Sequence, residues 1–154
     1  MGDVDGDGIS DFPMNSGFAN KYAAVGQIAV VSSRTGKLLM TVRSPGFSAG
    51  ITRLSRRAAG VGDADGDGRP DIAYGIIAHV GQAQVVKVRV VDALTGELTF
   101  ESKNLRGVID RPISVVARAG DLNGDGRDDV ACCLYDFSVH APLAGALMTF
   151  LAPQ

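Results

Sequence analysis

Three runs of the chain bring together residue types that bind metal ions. Each run reads Asp-x-Asp-Gly-Asp-Gly-x-x-Asp, with Asn for the second Asp in the third copy, and the runs begin at Asp3, Asp63 and Asp121. Carboxylates this close together repel one another unless a cation neutralises them. Ca²⁺ suits the pattern, because it takes about six to eight oxygen ligands in a tolerant geometry. The side chains at positions 1, 3, 5 and 9 and the backbone carbonyl at position 7 are the predicted ligands.

The loops differ from an EF-hand. That motif begins alike but needs a bidentate Glu at position 12, where this chain has Met14, Tyr74 and Cys132. The flanks also lack the 3.6-residue periodicity of helices. The glycines at positions 4 and 6 are expected to adopt positive φ, which allows the tight bend around an ion. Solvated Asp- and Gly-rich turns stay open as an alternative, whereas Mg²⁺ is less suited because it keeps several waters.

Charge and composition exclude other classes of function. Eleven of the 17 acidic residues occupy the predicted ligand positions, so the other 6 face 15 Lys and Arg. Those basic residues form no stripe interleaved with aromatics, and Trp is absent, so no nucleic-acid partner is expected. No run of 18 apolar residues occurs, so no membrane span is expected. No signal peptide is visible at the start of the chain.

The segments around the loops have the pattern of short strands. Val86, Val88 and Val90 alternate with Lys87 and Arg89, which indicates a half-buried strand. A Thr-Gly turn occurs twice, 60 residues apart. Strands are predicted over 11–19 (interrupted by Pro13 and Gly17), 27–32, 37–42, 57–61, 71–77, 86–90, 98–100, 114–117, 130–134 and 146–150.

The repetition favours an all-β fold of β-propeller blades. The loop starts lie 60 and then 58 residues apart, and each unit predicts a four-stranded antiparallel sheet with the acidic loop in its first hairpin. The chain is then one array of about two and a half repeats of roughly 60 residues. It divides into a partial blade at 1–46, a full blade at 47–107 and a partial blade at 108–154. A β-sandwich is the alternative.

At these residues the chain resembles the FG-GAP repeats of integrin α-subunit propellers and their bacterial relatives. The shared features are the small-residue strand before each loop, the acidic loop itself, the Asp-Ile-Ala-Tyr-Gly strand and the Thr-Gly-x-Leu turn. The resemblance implies up to three Ca²⁺ and an extracellular or cell-surface parent protein. The implied ligands are Asp3, Asp5, Asp7 and Asp11, then Asp63, Asp65, Asp67 and Asp71, then Asp121, Asn123, Asp125 and Asp129, with backbone carbonyls from Ile9, Arg69 and Arg127.

The chain also departs from that family pattern. The Phe-Gly and Gly-Ala-Pro signatures are degraded, and Tyr74-Gly75-Ile76 stands at one of them. Family propellers close with about four to eight blades, whereas this sequence starts within one unit and stops within another. We therefore expect a fragment, or a chain that completes its ring by self-association through open strand edges.

Three functions are compatible with these residues. The first is a non-catalytic Ca²⁺-binding propeller module for adhesion, ligand binding or scaffolding, with a protein or polysaccharide ligand. The second is part of a propeller enzyme such as a polysaccharide lyase, and the third is a structural self-assembling fragment. His79 and His140 are the only histidines, and neither has a carboxylate or Cys at motif spacing, so no catalytic residue is predicted.

The two cysteines are adjacent in sequence. Cys132 and Cys133 fall in a predicted strand, where neighbouring side chains point to opposite faces. We expect two free, largely buried thiols that pack as small apolar groups, with a vicinal disulfide or a metal pair as the alternative.

Overall fold

The structure is a computed structural model that describes residues 1–16, 19–20, 23–24, 27–43, 51–80, 83–105, 113, 115–134 and 146–150. Within these ranges all regular elements are strands and there is no helix, so the predicted all-β class is confirmed. The strands are β1 (Phe12–Ser16), β2 (Ala19–Asn20), β3 (Ala23–Ala24), β4 (Gln27–Val31), β5 (Leu38–Arg43), β6 (Ile51–Gly62), β7 (Asp71–Val80), β8 (Ala83–Asp92), β9 (Leu98–Glu101), β10 (Val115–Gly120), β11 (Asp129–Leu134) and β12 (Ala146–Phe150).

These strands form three antiparallel sheets and one small hairpin. The first sheet has the order β1-β4-β5, the second β6-β7-β8-β9 and the third β10-β11-β12, while β2 pairs with β3. The second sheet is the predicted four-stranded meander, with an acidic loop between β6 and β7. Each sheet takes its strands from one of the three predicted units.

The strand predictions were right in place but differ in extent: β1 covers only Phe12–Ser16 of the predicted 11–19, whereas β7 and β8 are longer than predicted. β6 begins at Ile51 rather than at Arg57, and irregular pairing between Leu54 and Ala58 hides its periodicity. β1 tolerates Pro13 because β1 is an edge strand of its sheet, where one missing N–H breaks no ladder on the outer side. The β2–β3 hairpin was missed, since its small residues carry no strand signal.

The apolar core lies in two layers, one on each face of the second sheet. On one face Ile72, Tyr74 and Ile76 pack with Ile28 and Val30 of the first sheet. The alternation of strand side chains sends the neighbouring residues of β7 to the opposite face. There Ala73, Ile77, Val86, Val88 and Val90 pack with Ile113 and with Val116, Val130 and Cys132 of the third sheet. The second sheet is therefore buried on both sides.

Glycines allow close approaches between the units. A Cβ on Gly75 would lie 2.8 Å from Cβ of Ile113, and a Cβ on Gly60 would lie 2.6 Å from Cα of Met1. Both are within the range that real Cβ atoms avoid. The small residues of β6 and β7 thus fit the sheets together. Among the described residues, no helix is long and apolar enough to cross a membrane.

Candidate metal centre

The three acidic loops share one hydrogen-bonding scheme, which begins by tying the ends of each loop together. The Asp at position 9 accepts a hydrogen bond from the amide at position 2 of its own loop. The donor and acceptor pairs are Val4 to Asp11, Ala64 to Asp71 and Leu122 to Asp129, each at 2.8 Å. All three acceptor residues are buried. The last predicted ligand of each loop is thus held beside the start of its own loop.

The Asp at position 1 organises the middle of each loop. Its two carboxylate oxygens accept hydrogen bonds from the glycine amides at positions 4 and 6. These bonds join Gly6 and Gly8 to Asp3 at 2.8 and 2.7 Å, Gly66 and Gly68 to Asp63 at 2.7 and 2.9 Å, and Gly124 and Gly126 to Asp121 at 2.6 and 2.8 Å. For Asp121 these amide donors are the main reason that its pKa is lowered. The same donors favour the ionised form that a cation needs.

The predicted glycine geometry is found at every copy. Gly66 and Gly68 have φ of 85° and 86°, and the corresponding glycines of the other loops lie between 76° and 87°. Side chains with a Cβ rarely adopt this left-handed region. The bend that turns the acidic side chains toward one point therefore depends on the glycines.

Carboxylates from positions 1, 3 and 9 meet in the first two loops. Asp3, Asp5 and Asp11 each offer an oxygen, and these oxygens lie within 4.8 Å of one another. Asp63, Asp65 and Asp71 make the same group in the second loop. The third loop has the same backbone hydrogen bonds, with Asn123 in place of the middle Asp. Its ligand set would combine Asp121, Asn123 and Asp129.

The position-5 residues have other contacts. Each accepts a hydrogen bond at Oδ1 from the amide of position 7, namely Ile9 to Asp7 at 2.9 Å, Arg69 to Asp67 at 2.8 Å and Arg127 to Asp125 at 2.9 Å. The second oxygen faces Arg34 Nε at 3.0 Å, Arg69 Nε at 3.7 Å or Asn123 Nδ2 at 2.9 Å, in the same order. Ligation by these carboxylates, and by the carbonyls of Ile9, Arg69 and Arg127, stays a prediction.

Asp71 carries the observation that points to a cation. It is fully buried, and its Oδ1 has no hydrogen-bond partner. Burial raises the pKa of Asp71 to about 7; the hydrogen bond from Ala64 opposes that rise, while the charges of Asp65, Asp92 and Asp67 add to it. In the first loop the matching oxygen of Asp11 accepts a hydrogen bond from the amide of Ser33 at 2.9 Å. A cation among Asp63, Asp65 and Asp71 would satisfy the unpaired oxygen, so these residues fit the group.

Asp92 is a further acidic residue that sequence reasoning missed. It pairs with Asp71 across β7 and β8, and its buried Oδ2 has no hydrogen-bond partner. Burial acts to raise the pKa of Asp92, but hydrogen bonds from Thr95 and Leu94 and the charge of Arg69 outweigh it, so the pKa is lowered. The sequence signal that could have singled out Asp92 is its position just before the Thr95-Gly96 turn.

The second and third loops touch each other directly. Asp128 lies at position 8 of the third loop, and its side chain accepts hydrogen bonds from the amide of Asp63 at 3.2 Å and from Arg118 Nε at 2.7 Å. The amide of Asp128 donates to the carbonyl of Asp63 at 2.8 Å. Arg127 also crosses to Gly66, where an added Cβ would lie 2.9 Å from its Nε. A predicted ligand of one loop is thus held by the neighbouring loop.

The remaining candidate residues are the two cysteines and the two histidines. Cys132 and Cys133 are both free, and they point to opposite faces as predicted. Cys132 is buried, and burial together with Cys133 raises the pKa of its thiol to about 11. Cys133 is exposed, so the expectation of two largely buried thiols was wrong for it, because the outer face of its sheet is uncovered. His140 and the side chain of His79 lie outside the described part of the chain.

A scan against protein-family models and a search of curated proteins each found no match to this chain. The likeness to FG-GAP repeats therefore rests on the loop and strand residues themselves.

Proposed function

We propose that the chain is a non-catalytic, Ca²⁺-binding β-propeller module. The single observation that supports this best is the buried, unpartnered Oδ1 of Asp71 in a group with Asp63 and Asp65. An isolated buried carboxylate is costly, because it loses its hydration without a compensating charge. A dication would compensate the buried Asp71 together with the half-buried Asp63 and Asp65. Backbone amides donate hydrogen bonds to the carboxylates at positions 1 and 9, and these bonds hold the oxygens close to one another.

Calcium is the ion that this ligand chemistry favours. The candidate ligands are all hard oxygen donors from Asp and Asn, which suit Ca²⁺ or Mg²⁺ rather than softer metals. Mg²⁺ requires a near-octahedral shell and retains several waters, whereas Ca²⁺ accepts an irregular set of carboxylate oxygens at roughly 2.3–2.6 Å. The proposal assigns one Ca²⁺ to each loop, and up to three to the chain.

The role of the ions is to order the hairpins that join the strands. Each predicted site lies next to the start of β1, β7 or β11. Binding to the folded state alone adds to the stability of that state. We assign the module to adhesion, ligand binding or scaffolding outside the cell, by the resemblance to FG-GAP repeats and because extracellular calcium modules work at high calcium concentration.

Thermal unfolding tests this function. Chelator-stripped protein is heated alone, with Ca²⁺ and with Mg²⁺. Each Ca²⁺ site should add about 2.7 kcal/mol once the ion exceeds its Kd a hundredfold, and Mg²⁺ should add much less. Glu97→Gln removes an exposed acid outside the loops, so this variant should keep the full response to Ca²⁺. If adding Ca²⁺ left the melting temperature unchanged, the loops would be solvated turns rather than calcium sites.

A further inference from the structure

The two apolar layers between the sheets pair the sheet faces in the same order along the chain. The face of the first sheet that carries Ile28 and Val30 covers the Ile72 and Tyr74 face of the second sheet. The opposite face of the second sheet, with Val88, is covered in turn by the third sheet. Successive sheets therefore stack front to back, as repeats with one kind of interface do.

The outer face of the first sheet, formed by Phe12, Met14, Ala29 and Val31, repeats a surface that is buried elsewhere. Cross-strand pairing places Phe12 beside Val31 and Met14 beside Ala29 on this face. The 60-residue offset aligns Phe12 and Met14 with Ile72 and Tyr74 of the second sheet. Ile72 and Tyr74 are 0% and 3% exposed, whereas Phe12 and Met14 are 44% and 53% exposed.

The outer face of the third sheet is formed by Val115, Ala131, Cys133 and Leu147. It corresponds by repeat position to the face of the second sheet that carries Val88, which is buried. Cys133 pairs with Leu147, and the 58-residue offset places Cys133 at the position of Gly75, which pairs with Val88. Val88 is 0% exposed because the third sheet covers it, whereas Leu147 is 70% exposed. The two outer faces are thus the two halves of one interface.

We propose that a second copy of this chain packs the outer face of its third sheet on the outer face of the first sheet. The two layers inside the chain already join these two kinds of surface, so the contact continues an established interface. The named side chains on both faces are uncharged, and uncovered apolar faces of this kind favour association. The contact is head to tail, so it can extend to further copies or close into a ring. It uses sheet faces rather than strand edges.

Analytical ultracentrifugation in calcium-containing buffer tests the contact. The average mass of the wild-type chain should rise with concentration across the micromolar range. Met14→Glu and Leu147→Glu should each weaken self-association roughly tenfold or more, by placing a charge in a desolvated layer. Leu98→Glu is the matched control, since Leu98 is 52% exposed but lies on the second sheet, and it should associate like the wild type.

Mixing the two variants separates a head-to-tail contact from a symmetric one. Met14→Glu keeps an intact third-sheet face and Leu147→Glu keeps an intact first-sheet face, so an equimolar mixture should form a one-to-one dimer that cannot grow. A wild-type chain that stays monomeric at all concentrations would overturn the proposal. So would a variant that associates alone as well as the wild type.

Cross-linking gives a second measurement that places no charge on either outer face. A Met14→Cys variant in a Cys132→Ala background is treated with a bismaleimide, and the cross-linked peptides are mapped. The proposal expects the introduced thiol of one copy to join Cys133 of another. Cross-links only between like positions, or none between copies, would contradict it.

Discussion

Asp63 and Asp128 hold each other through two hydrogen bonds that join neighbouring acidic loops. The amide of Asp63 donates to Oδ2 of Asp128 at 3.2 Å, and the amide of Asp128 donates to the carbonyl of Asp63 at 2.8 Å. Asp63 is the first predicted ligand of the second loop, and Asp128 precedes Asp129, the last predicted ligand of the third. Order in one loop therefore favours order in the other.

Replacing Asp128 tests this link. Asp128→Ala removes the acceptor of the Asp63 amide and should lower the free energy of unfolding by about 1.5–3 kcal/mol, as for a lost hydrogen bond to a charged group. The partner Arg118 is 60% exposed, so its ion pair adds little. Chemical denaturation of the metal-free protein measures the change, and calorimetry should show weaker Ca²⁺ binding to the second loop.

Arg118→Ala is the control for that prediction, because it removes the ion pair and leaves both backbone contacts of Asp63. It should cost much less than Asp128→Ala. Equal costs would mean that the hydrogen bond from the Asp63 amide to the Asp128 side chain contributes nothing beyond the surface ion pair.

A second prediction is that Asp71→Asn changes the stability of the protein in opposite directions with and without Ca²⁺. Asp71→Asn removes a buried charge whose Oδ1 has no partner, so the metal-free protein should lose little stability or gain some. In saturating Ca²⁺ the same variant should be less stable than the wild type, because a ligand is lost. Denaturation curves with chelator and with Ca²⁺ measure both differences.

Asp11→Asn is the matched comparison. Both oxygens of Asp11 accept backbone hydrogen bonds, from Val4 at 2.8 Å and from Ser33 at 2.9 Å. An amide cannot accept both, so this variant should be destabilised even without metal, by about 1–3 kcal/mol. If both variants were equally stable in chelator, the hydrogen bond from Ser33 to Asp11, which Asp71 lacks, would contribute nothing to stability.

Glu101 gives the chain a defined response to acid. Burial acts to raise the pKa of Glu101, but its hydrogen bonds and ion pairs with Lys87 and Arg89 outweigh it, so the pKa is held below the ordinary 4.5. A depressed folded-state pKa stabilises the protein above about 4.5, and that contribution is lost as the pH falls through the folded-state pKa.

The Glu101→Gln variant isolates this contribution from that of the loops. In chelator near neutral pH it should be less stable than the wild type by about 1–3 kcal/mol, and the difference should shrink toward zero in acid. Urea titrations across the pH range provide the comparison. If the difference in free energy of unfolding between the wild type and the variant stayed constant into the acid range, the charge of Glu101 would not contribute to that difference.

Gly75 tests the fit between the second sheet and Ile113, which precedes β10 in the chain. Its added Cβ would lie 2.8 Å from Cβ of Ile113, so Gly75→Ala should destabilise the protein by about 1–3 kcal/mol through overpacking. The cost should be smaller in an Ile113→Ala background, which makes room for the methyl group. A double-mutant cycle by thermal unfolding measures this coupling, and simple additivity would argue against the contact.

Features set by local sequence were predictable from the chain alone. The positive φ of the loop glycines and the alternating strands around Val88 follow from a few neighbouring residues. The tie between Asp63 and Asp128 joins residues 65 positions apart, and it exists only because the sheets stack. The burial of Asp92 and the exposure of Cys133 depend on the same stacking, which no local pattern encodes.

We propose that each acidic loop holds one Ca²⁺, and a calorimetric titration counts the bound ions. Ca²⁺ is added to chelator-stripped protein, first the wild type and then the Asp63→Asn/Asp65→Asn variant, with Mg²⁺ as the competing ion. We expect up to three Ca²⁺ per wild-type chain, one fewer in the variant and little displacement by Mg²⁺. Absence of Ca²⁺ binding to folded wild-type protein would contradict this proposal.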